Sequence, residues 1–365
     1  MYLFLIIILW ILFVGHFFIY SSLMTIYWLY KYKIVMRIIL AVLTLSFVFA
    51  SYMVHNYDSF LSKKLYYFVS IWHWLMSFLF FWFLILFLVY NLFQAFWVSL
   101  NLKTLWYIVI FCSIFITSYW IYNANNIVIN KVDVSLKNIP EKWKSKKVVF
   151  LSDIHIWAIN SWKFMDKISD KINSLNPDIV FISGDLFDWS DWELNDIHEN
   201  IDKINAKDWV YYVNWNHEVY LWMDLTNSIL EKTKIKILED EIVNLDWVQI
   251  VWVSYLDDRT GLWNISEKLK TIKWFDKNTA SILLYHSPVF VNDFAKFGIN
   301  LQLSWHTHKW QFWPYWYITS MIYKWNDYWL NTYGDYNIYT SNWVGTWWPP
   351  LRVWNNPEIV ILNFK

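Results

Sequence analysis

Apolar and polar positions follow two different patterns along the chain. The first 123 residues hold four long apolar runs, at about 2–20, 34–54, 66–93 and 104–122. Each run is near or above the roughly 20 residues that a helix needs to cross a bilayer. Charged residues stand mainly at the joints between the runs, so no run has the polar face of a soluble helix. The pattern predicts an all-α transmembrane region of four helices over residues 1–123.

The second part of the chain alternates more quickly between apolar and polar segments. Residues 124–146 are largely polar and predict a linker. Over residues 147–365, short apolar segments alternate with amphipathic ones, which indicates an α/β domain. Strands are predicted at about 148–151, 178–182, 210–213, 281–285 and 301–303, and a helix where Phe164, Ile168, Ile172 and Leu175 recur at helical spacing.

The charges at the joints bear on orientation. Four spans would put both ends of the helical region on one side of the membrane. The basic residues on the side of the α/β domain would be Lys63, Lys64 and the stretch 131–147, against Lys31, Lys33, Arg37 and Lys103 on the other side. By a small margin, the positive-inside rule predicts a multi-pass protein with a cytoplasmic α/β domain.

Charge and cysteine content exclude some classes of function. Lys+Arg and Asp+Glu number 30 each, so the formal net charge is zero. A nucleic-acid-binding protein would show a basic surface, so we expect no nucleic-acid partner. The single cysteine, Cys112, rules out a disulfide framework or a multi-cysteine metal site within one chain.

Side chains of the types that bind metals follow the predicted strands, at the sheet edge where ligands bind in α/β proteins. In chain order they are Asp153, His155, Asp185, Asp188, Asn216, His217, Glu218, His286, His306 and His308. Carboxylate, imidazole and amide oxygen suit divalent Mn, Fe or Zn. Asp185 is the natural bridge between two ions, which would clamp a phosphate and lower the pKa of a water between them. Such a site needs no Ser or Cys nucleophile.

The series Asp153-x-His155, Gly184-Asp185-x-x-Asp188, Asn216-His217-Glu218, His286 and His306-x-His308 resembles the calcineurin-like metallophosphoesterase family. The segment 343–352 resembles a glycine-rich segment of the membrane-associated, YkuE-like branch. The resemblance covers about residues 145–365 and implies a four-layer α/β/β/α sandwich.

The resemblance also implies a role for each motif residue. One ion would be held by Asp153, His155, Asp185 and His308, and the other by Asp185, Asn216, His286 and His306. His217 and Asp188 would be catalytic. His217 would sit beside the phosphate and either donate to the leaving oxygen or stabilise transition-state charge, and Glu218 and Asp188 would orient the ligands.

The tryptophan and glycine counts are both abnormal. The chain has 30 Trp and 6 Gly, whereas average usage would give roughly 26 Gly in this length. Asp246-Trp247 lies between two strand-like segments, where Asp-Gly would form a type I′ hairpin turn. Trp215 and Trp305 replace family glycines, in loops that we expect to be too tight for an indole.

We therefore hypothesise that many Trp are Gly in the native protein, through a UGA codon that is read as glycine. The alternative is a truly Trp-rich membrane protein, with Trp10, Trp28 and Trp106 in interfacial belts.

Several other polar residues allow both a functional and a structural interpretation. Asp257-Asp258-Arg259 would touch substrate or form a solvated turn, and Arg352 would bind phosphate or form a structural salt bridge. His73 would be functional within its span or simply packed. For His198, on a polar helix, a surface role is expected.

Three functions remain open from the sequence. The first is a membrane-anchored phosphoesterase that hydrolyses a phosphomonoester, phosphodiester or pyrophosphate bond, on a small-molecule or lipid-linked substrate. The second is a catalytically degenerate receptor or scaffold, against which the intact motifs argue. The third is a transporter with a regulatory domain, against which the lack of an ionisable pathway in the spans argues.

Overall fold

The chain folds into two compact units. One comprises Met1–Tyr122 with the short segment Trp348–Leu351, and the other comprises Asn123–Trp347 and Arg352–Lys365. The structure is a computed structural model, and it describes residues 2–24, 27–57, 59–97, 100–188, 196–221, 223–253, 265–307, 311 and 316–365.

The first unit is helical, as the apolar runs predict. Its helices are α1 (Tyr2–Leu23), α2 (Tyr27–Tyr30), α3 (Lys33–Asn56), α4 (Phe60–Ala95) and α5 (Leu102–Ala124). By length and composition, α3, α4 and α5 can each cross a membrane, whereas α1 holds a shorter apolar stretch, Leu9–Leu23. The four predicted helices are thus present, and a fourth span stays a prediction.

Helices α1 and α4 approach closely at a glycine. A Cβ atom at Gly15 would lie 2.9 Å from Met76 Sδ. Around this contact, Ile19, Phe83 and Trp106 form a buried cluster with Met76. The rings of Phe83 and Trp106 meet edge to face at 4.3 Å between centroids. Dense packing of this kind stabilises contacts between helices inside a bilayer, because there the hydrophobic effect does not drive helices together.

Two histidines are packed inside this helical unit. His73 is buried, and its Nδ1 lies 2.8 Å from the carbonyl oxygen of Val69, one turn earlier in α4. His16 is also buried, and its Nε2 accepts a hydrogen bond from Trp72 Nε1 at 2.9 Å. These contacts agree with the interpretation that His73 is packed within the helical unit.

The second unit contains two six-stranded sheets. Its strands are β1 (Val128–Val134), β2 (Val148–Ser152), β3 (Ile179–Ser183), β4 (Trp209–Val213), β5 (Lys236–Leu238), β6 (Ile242–Leu245), β7 (Val248–Trp252), β8 (Ala280–Leu284), β9 (Leu301–Ser304), β10 (Trp329–Tyr333), β11 (Tyr336–Thr340) and β12 (Glu358–Phe364). The first sheet has the order β1-β12-β2-β3-β4-β5, and the second has the order β10-β11-β9-β8-β7-β6. The five predicted strands correspond to β2, β3, β4, β8 and β9.

The helices of this unit are short. They are α6 (Glu141–Lys144), α7 (Trp162–Ser174), α8 (Ile197–Ile201), α9 (Asn216–Leu221), α10 (Met223–Leu230), α11 (Ile265–Thr271), α12 (Val291–Phe297) and α13 (Trp316–Ile322). The predicted helix at Phe164–Leu175 is α7, whose Ile168 and Ile172 are buried.

Residues 128–134, predicted as part of a linker, form strand β1 instead. The strand pairs in parallel with β12, from Val128 opposite Glu358 to Val134 opposite Phe364. Asn130, Lys131 and Asp133 of this strand are charged or amide-bearing, and Val128 is only half buried. No apolar run therefore marks the strand in the sequence. Its partner is the last strand of the chain, and a pairing over that distance leaves no local signal.

The buried clusters arrange this unit in four layers. Phe150 and Phe181 of the first sheet meet Ile282 and Leu303 of the second in one core between the sheets. Ile168 and Ile172 of α7 cover the outer face of the first sheet. Phe294 of α12 packs against the outer face of the second. The four-layer α/β/β/α sandwich is confirmed.

The turn between β6 and β7 has the conformation that the glycine hypothesis predicts. Asp246 and Trp247 have φ of 45° and 66°, so both central residues lie in the left-handed region. Further described Trp residues also have positive φ, and they are Trp97, Trp274, Trp325, Trp329, Trp343 and Trp354. A bulky L-residue adopts this conformation only at a cost, whereas glycine does so freely. An excess of Trp at such positions is what glycine codons translated as Trp would produce.

Candidate metal centre

Five parallel strands deliver the candidate ligands to one region. In the first sheet, β2, β3 and β4 pair in parallel, so the residues that follow them lie at the same edge. In the second sheet, β8 and β9 also pair in parallel. The residues that follow these strands are Asp153 and His155, Asp185 and Asp188, Asn216 and His217, His286, and His306. The edges of the two sheets meet where these side chains converge.

Among the groups of metal-binding atoms that the converging side chains form, two share one carboxylate. Ligand atoms of Asp153, His155 and Asp185 lie within 4.8 Å of one another, and so do those of Asp185, His286 and His306. His286 Nε2 lies 3.7 Å from Asp185 Oδ2 and 2.5 Å from His306 Nδ1. Asp185 therefore stands between two sets of metal-binding atoms, as a bridging carboxylate would.

Burial makes the two carboxyl groups of this site costly without a cation. Asp153 and Asp185 are fully buried. Burial raises the pKa of Asp153 well above its usual value, and the charge of Asp185 raises it further. Burial likewise raises the pKa of Asp185, to about 7, with Glu218 among the charges that add to the effect. Two ionised carboxylates cannot donate to each other, so one of them takes up a proton unless a bound cation stabilises both in the charged form.

Two imidazoles of the site, those of His155 and His306, are held neutral, which is the form that binds metals. Burial lowers the pKa of His155 to about 3, and the charge of His217 lowers it further. Burial also lowers the pKa of His306, to about 4. A neutral imidazole has a free lone pair on one ring nitrogen, and this lone pair is what coordinates a cation.

Buried oxygen atoms complete the test of whether metals fit. Asp185 Oδ2 and Asn216 Oδ1 are buried, and neither accepts a hydrogen bond from the residues that the structure describes. Buried acceptors of this kind are normally satisfied, and a divalent cation would satisfy both. The donor set of carboxylate, imidazole and amide oxygen therefore fits a pair of hard or borderline divalent ions.

The backbone at the ligand positions is strained. Asp153, His155, Asp185 and His306 have φ of 49°, 50°, 50° and 70°. Non-glycine residues in this left-handed region cost of order 1–3 kcal/mol each, and such residues cluster at functional sites. The sharp turns directly after β2, β3 and β9 direct the side chains back over the ends of the sheets.

One buried carboxylate positions the turns that carry the ligands. Glu218 Oε2 accepts hydrogen bonds from the backbone N–H of Trp215 at 2.8 Å and of Asp185 at 3.1 Å. Its Oε1 accepts one from Leu186 N–H at 2.7 Å. Glu218 thereby ties the turn after β3 to the turn after β4, in keeping with its predicted role in orienting ligands.

His217 stands at the exposed side of the cluster. Its Nδ1 lies 3.0 Å from Asp188 Oδ1, and its side chain keeps 12% of its surface exposed. Burial lowers the pKa of His217, but the charges of Asp185 and Asp188 outweigh burial and raise it to about 9. The ring also meets that of His155 edge to face at 4.8 Å. A histidine with this raised pKa carries a proton at neutral pH.

Comparison with known proteins decides the family of this unit. The family model of the calcineurin-like phosphoesterases matches residues 146–313. The chain contains a calcineurin-like phosphoesterase domain. The matched residues include each strand end that carries a candidate ligand, so the family and the geometry agree.

Relatives of the phosphoesterase domain occur in bacteria and animals. An uncharacterized metallophosphoesterase of Campylobacter jejuni is 33% identical over 242 residues, which are 65% of this chain and 63% of that protein. A transmembrane protein with metallophosphoesterase domain from Danio rerio is 25% identical over 250 residues, 64% of this chain and 56% of that protein. A metallophosphoesterase of Helicobacter pylori is 27% identical and covered over 60% of both chains. The chain thus spans about 60% of the length of these three relatives.

Two of the predicted functional segments lie outside the described residues. They are His308, predicted as a ligand of the first ion, and Asp257-Asp258-Arg259, for which substrate contact or a turn was open. The first group therefore stands on Asp153, His155 and Asp185.

Arg352 has a structural role in the phosphoesterase domain. It is fully buried, and its guanidinium donates to the backbone carbonyl oxygens of Asn342, Trp343 and Gly345 at 2.6–3.1 Å. It also lies over the ring of Trp343 at 4.5 Å. These contacts hold three guanidinium N–H groups within the fold and support a structural role, through backbone carbonyls rather than the predicted salt bridge.

Sequence reasoning missed what Arg352 holds in place. The loop 342–345 lies directly against the first ligand, because Gly345 N–H donates to the carbonyl oxygen of Asp153 at 2.9 Å. A Cβ atom at Gly345 would lie 2.3 Å from Ile154 O, so only glycine permits this approach. The sequence signal for this close contact was Gly345, which is the one glycine in the segment 343–352.

The expectation that Trp215 and Trp305 have no room for their indoles is wrong. Both are buried, at 2% and 0% exposure. Trp215 stacks on the ring of His286 at 4.8 Å, and Trp305 meets the same ring at 5.2 Å. Trp215 packs into the core on the outer face of the second sheet, and Trp305 packs into the core between the two sheets. At these two positions the structure accommodates Trp, in contrast to the turn at Trp247.

Proposed function

We propose that this chain is a membrane-anchored phosphoesterase that uses two divalent metal ions. The observation that carries the proposal is Asp185, which belongs to two separate groups of metal-binding atoms. One ion is assigned to Asp153, His155, Asp185 and His308, and the other to Asp185, Asn216, His286 and His306. The ions would be Mn, Fe or Zn, in agreement with the mixed oxygen and nitrogen donors.

Two bound ions would polarise the phosphate oxygens and lower the pKa of a water molecule, so that it attacks phosphorus at neutral pH. The protein's own groups supply the rest. Asp188 accepts from the imidazole of His217 and fixes its orientation. The other ring nitrogen of His217 can then donate a proton to the oxygen of the leaving group. The pKa of about 9 keeps that proton in place at neutral pH.

The substrate class follows from the site and the helices together. A phosphomonoester, a phosphodiester or a pyrophosphate each present oxygens that two ions can bind. Three apolar helices of membrane-spanning length support a lipid-linked substrate and a multi-pass location. The relatives named as transmembrane proteins with a metallophosphoesterase domain support the same combination. A cytoplasmic position of the domain remains the prediction of the positive-inside rule.

Hydrolysis of bis- and mono-p-nitrophenyl phosphate by the full chain in detergent, with Mn²⁺ added, tests the proposal. Asp185→Asn removes the shared charge, and we expect activity to fall at least about 1,000-fold. Asp166→Asn is the matched control, because Asp166 pairs with Lys203 away from the ligands, and it should leave activity unchanged. A wild-type chain without activity, or an Asp185→Asn variant that keeps it, would favour the receptor or scaffold instead.

A further inference from the structure

A groove of about 420 Å³ runs along the helical unit between α1 and α3. From α1 it is lined by Phe13, Phe17 and Tyr20, and from α3 by Arg37, Leu40 and Ala41. These positions recur at intervals of three and four residues, so each helix presents one continuous face to the groove. The lining of α3 extends from Arg37 to Leu45, about 12 Å along the helix axis at ~1.5 Å per residue. This length is close to half of the roughly 30 Å hydrocarbon core of a bilayer.

Between its two ends, the groove has walls that need no hydrogen bond from a ligand. Of its polar wall residues, Thr44 and His16 are satisfied within the protein. Thr44 Oγ1 donates to the carbonyl oxygen of Leu40 at 2.7 Å. His16 Nε2 accepts from Trp72 Nε1 at 2.9 Å. A hydrocarbon chain is the ligand that such a surface suits, because it requires no hydrogen bonds.

One end of the groove carries a positive charge. Arg37 Nε donates to the hydroxyl oxygen of Tyr20 at 2.7 Å, and the guanidinium lies 5.4 Å from the centroid of that ring. This contact fixes the guanidinium at the mouth of the groove and uses one of its N–H groups. The remaining N–H groups form the planar fork that binds phosphate oxygens in pairs. Lys33, one helical turn before Arg37, adds a second cation at the same end.

We propose that this groove binds an anionic phospholipid, with its phosphate at Arg37 and one acyl chain along Phe17 and Leu40. An apolar channel of leaflet length that ends in a fixed arginine matches a lipid in both shape and charge. The site lies in the helical unit and is distinct from the metal centre. It rests on the membrane-spanning part of the proposed function and does not depend on hydrolysis.

Native mass spectrometry of the full chain, released from detergent micelles with added lipid, measures this binding. The two lipids are phosphatidylglycerol, which is anionic, and phosphatidylcholine, which has no net charge. We expect wild type to retain one phosphatidylglycerol and to prefer it over phosphatidylcholine. Arg37→Gln should lower phosphatidylglycerol occupancy about fivefold, the worth of one basic residue near an anionic headgroup, and leave phosphatidylcholine unchanged.

Lys103→Gln is the matched control for charge. Lys103 lies in the first turn of α5. If four helices span the membrane, it lies on the same side as Arg37. We expect it to leave both occupancies unchanged. An equal loss with Lys103→Gln would show a diffuse attraction and overturn the site, as would equal binding of the two lipids by wild type.

A second pair of variants tests the apolar part without any change of charge. Ala41→Phe should fill the groove and lower the occupancy of both lipids. Val42→Phe adds the same ring at the next position, which is exposed and outside the lining, and should have no effect. Unchanged binding in Ala41→Phe would overturn the site. Release of the wild-type chain from membranes by alkaline carbonate would overturn the site together with its membrane location, whereas loss of hydrolysis alone would bear only on the metal centre.

Discussion

Buried polar side chains have different partners in the helical unit and in the phosphoesterase unit. In the helical unit, Thr44 and Ser70 donate to carbonyl oxygens one turn earlier in their own helices. In the phosphoesterase unit, Asp153 and Asp185 come from different strands and face each other as acceptors. Thr44 and Ser70 need no partner from outside their helices, whereas two buried carboxylates need a cation to stay ionised.

The difference shows which kind of burial marks a functional site. The hydroxyls of Thr44 and Ser70 are satisfied within their own helices, so their burial carries no functional meaning. Where carboxylates and imidazoles converge from separate strands, Asp185 Oδ2 and Asn216 Oδ1 are left buried without a donor among the described residues, and this convergence is the signal. Four of the ligand positions also have strained backbones, which a purely structural cluster would have no reason to keep.

The largest effect is expected at the exposed edge of the metal centre. His217→Gln removes the group that we assign as proton donor, and kcat should fall about 10²–10⁴-fold. Bound metal should stay at the wild-type level, because His217 is not assigned as a ligand. His198→Gln, on α8 of the same unit, is the control and should keep full activity. A loss of metal along with activity would show that His217 acts as a ligand instead.

A smaller effect is expected at the carboxylate that ties the two ligand turns together. Glu218→Gln keeps one acceptor oxygen but replaces the other with a donor, which faces backbone N–H groups. Metal affinity, measured by titration with Mn²⁺, should fall about 10–100-fold. Glu199→Gln, an exposed change in α8, should leave affinity unchanged. Equal affinities in the two variants would remove Glu218 from the positioning role.

The hairpin turn between β6 and β7 separates backbone strain from burial. Trp247 is 83% exposed at φ 66°, so Trp247→Gly loses little packing and relieves a conformation that costs about 1–2 kcal/mol. Thermal melting should show a gain of up to about 1 kcal/mol after the entropy cost of glycine. Trp209→Gly, at an exposed position of strand β4, should instead lose about 1 kcal/mol.

The native protein offers a direct check on the same turn. If UGA is read as glycine, peptide mass spectrometry of protein from its own cells will find Gly at position 247. Trp at 247 would contradict the hypothesis, whatever the variant does to stability.

The smallest effect is expected in the helical unit. Thr44→Val removes a hydroxyl whose only described bond is to the carbonyl of Leu40, and stability in detergent should change by less than about 1 kcal/mol. Hydrolysis should be unaffected. A large loss of stability would show that buried polar groups matter equally in the two units.

The sequence predicts the parts of the fold that leave local patterns. The long apolar helices, the central strands and the residues at their carboxyl ends could all be read from periodicity and motif spacing. Strand β1 could not, because its partner β12 is at the other end of the chain and its own residues alternate between exposed and buried. Arg352 could not either, since its burial depends on three carbonyls that only the folded loop brings together. The room for Trp215 and Trp305 likewise depends on how the loops turn in space.

Metal content measures the central claim most directly. The full chain, loaded with Mn²⁺ in detergent and freed of excess metal, would be analysed by inductively coupled plasma mass spectrometry, alongside Asp185→Asn and Asp166→Asn. We predict about two ions per chain for the wild type and Asp166→Asn, and fewer than one for Asp185→Asn because both groups lose their common ligand. One ion or none in the wild type, or two ions retained by Asp185→Asn, would contradict a carboxylate shared between two metals.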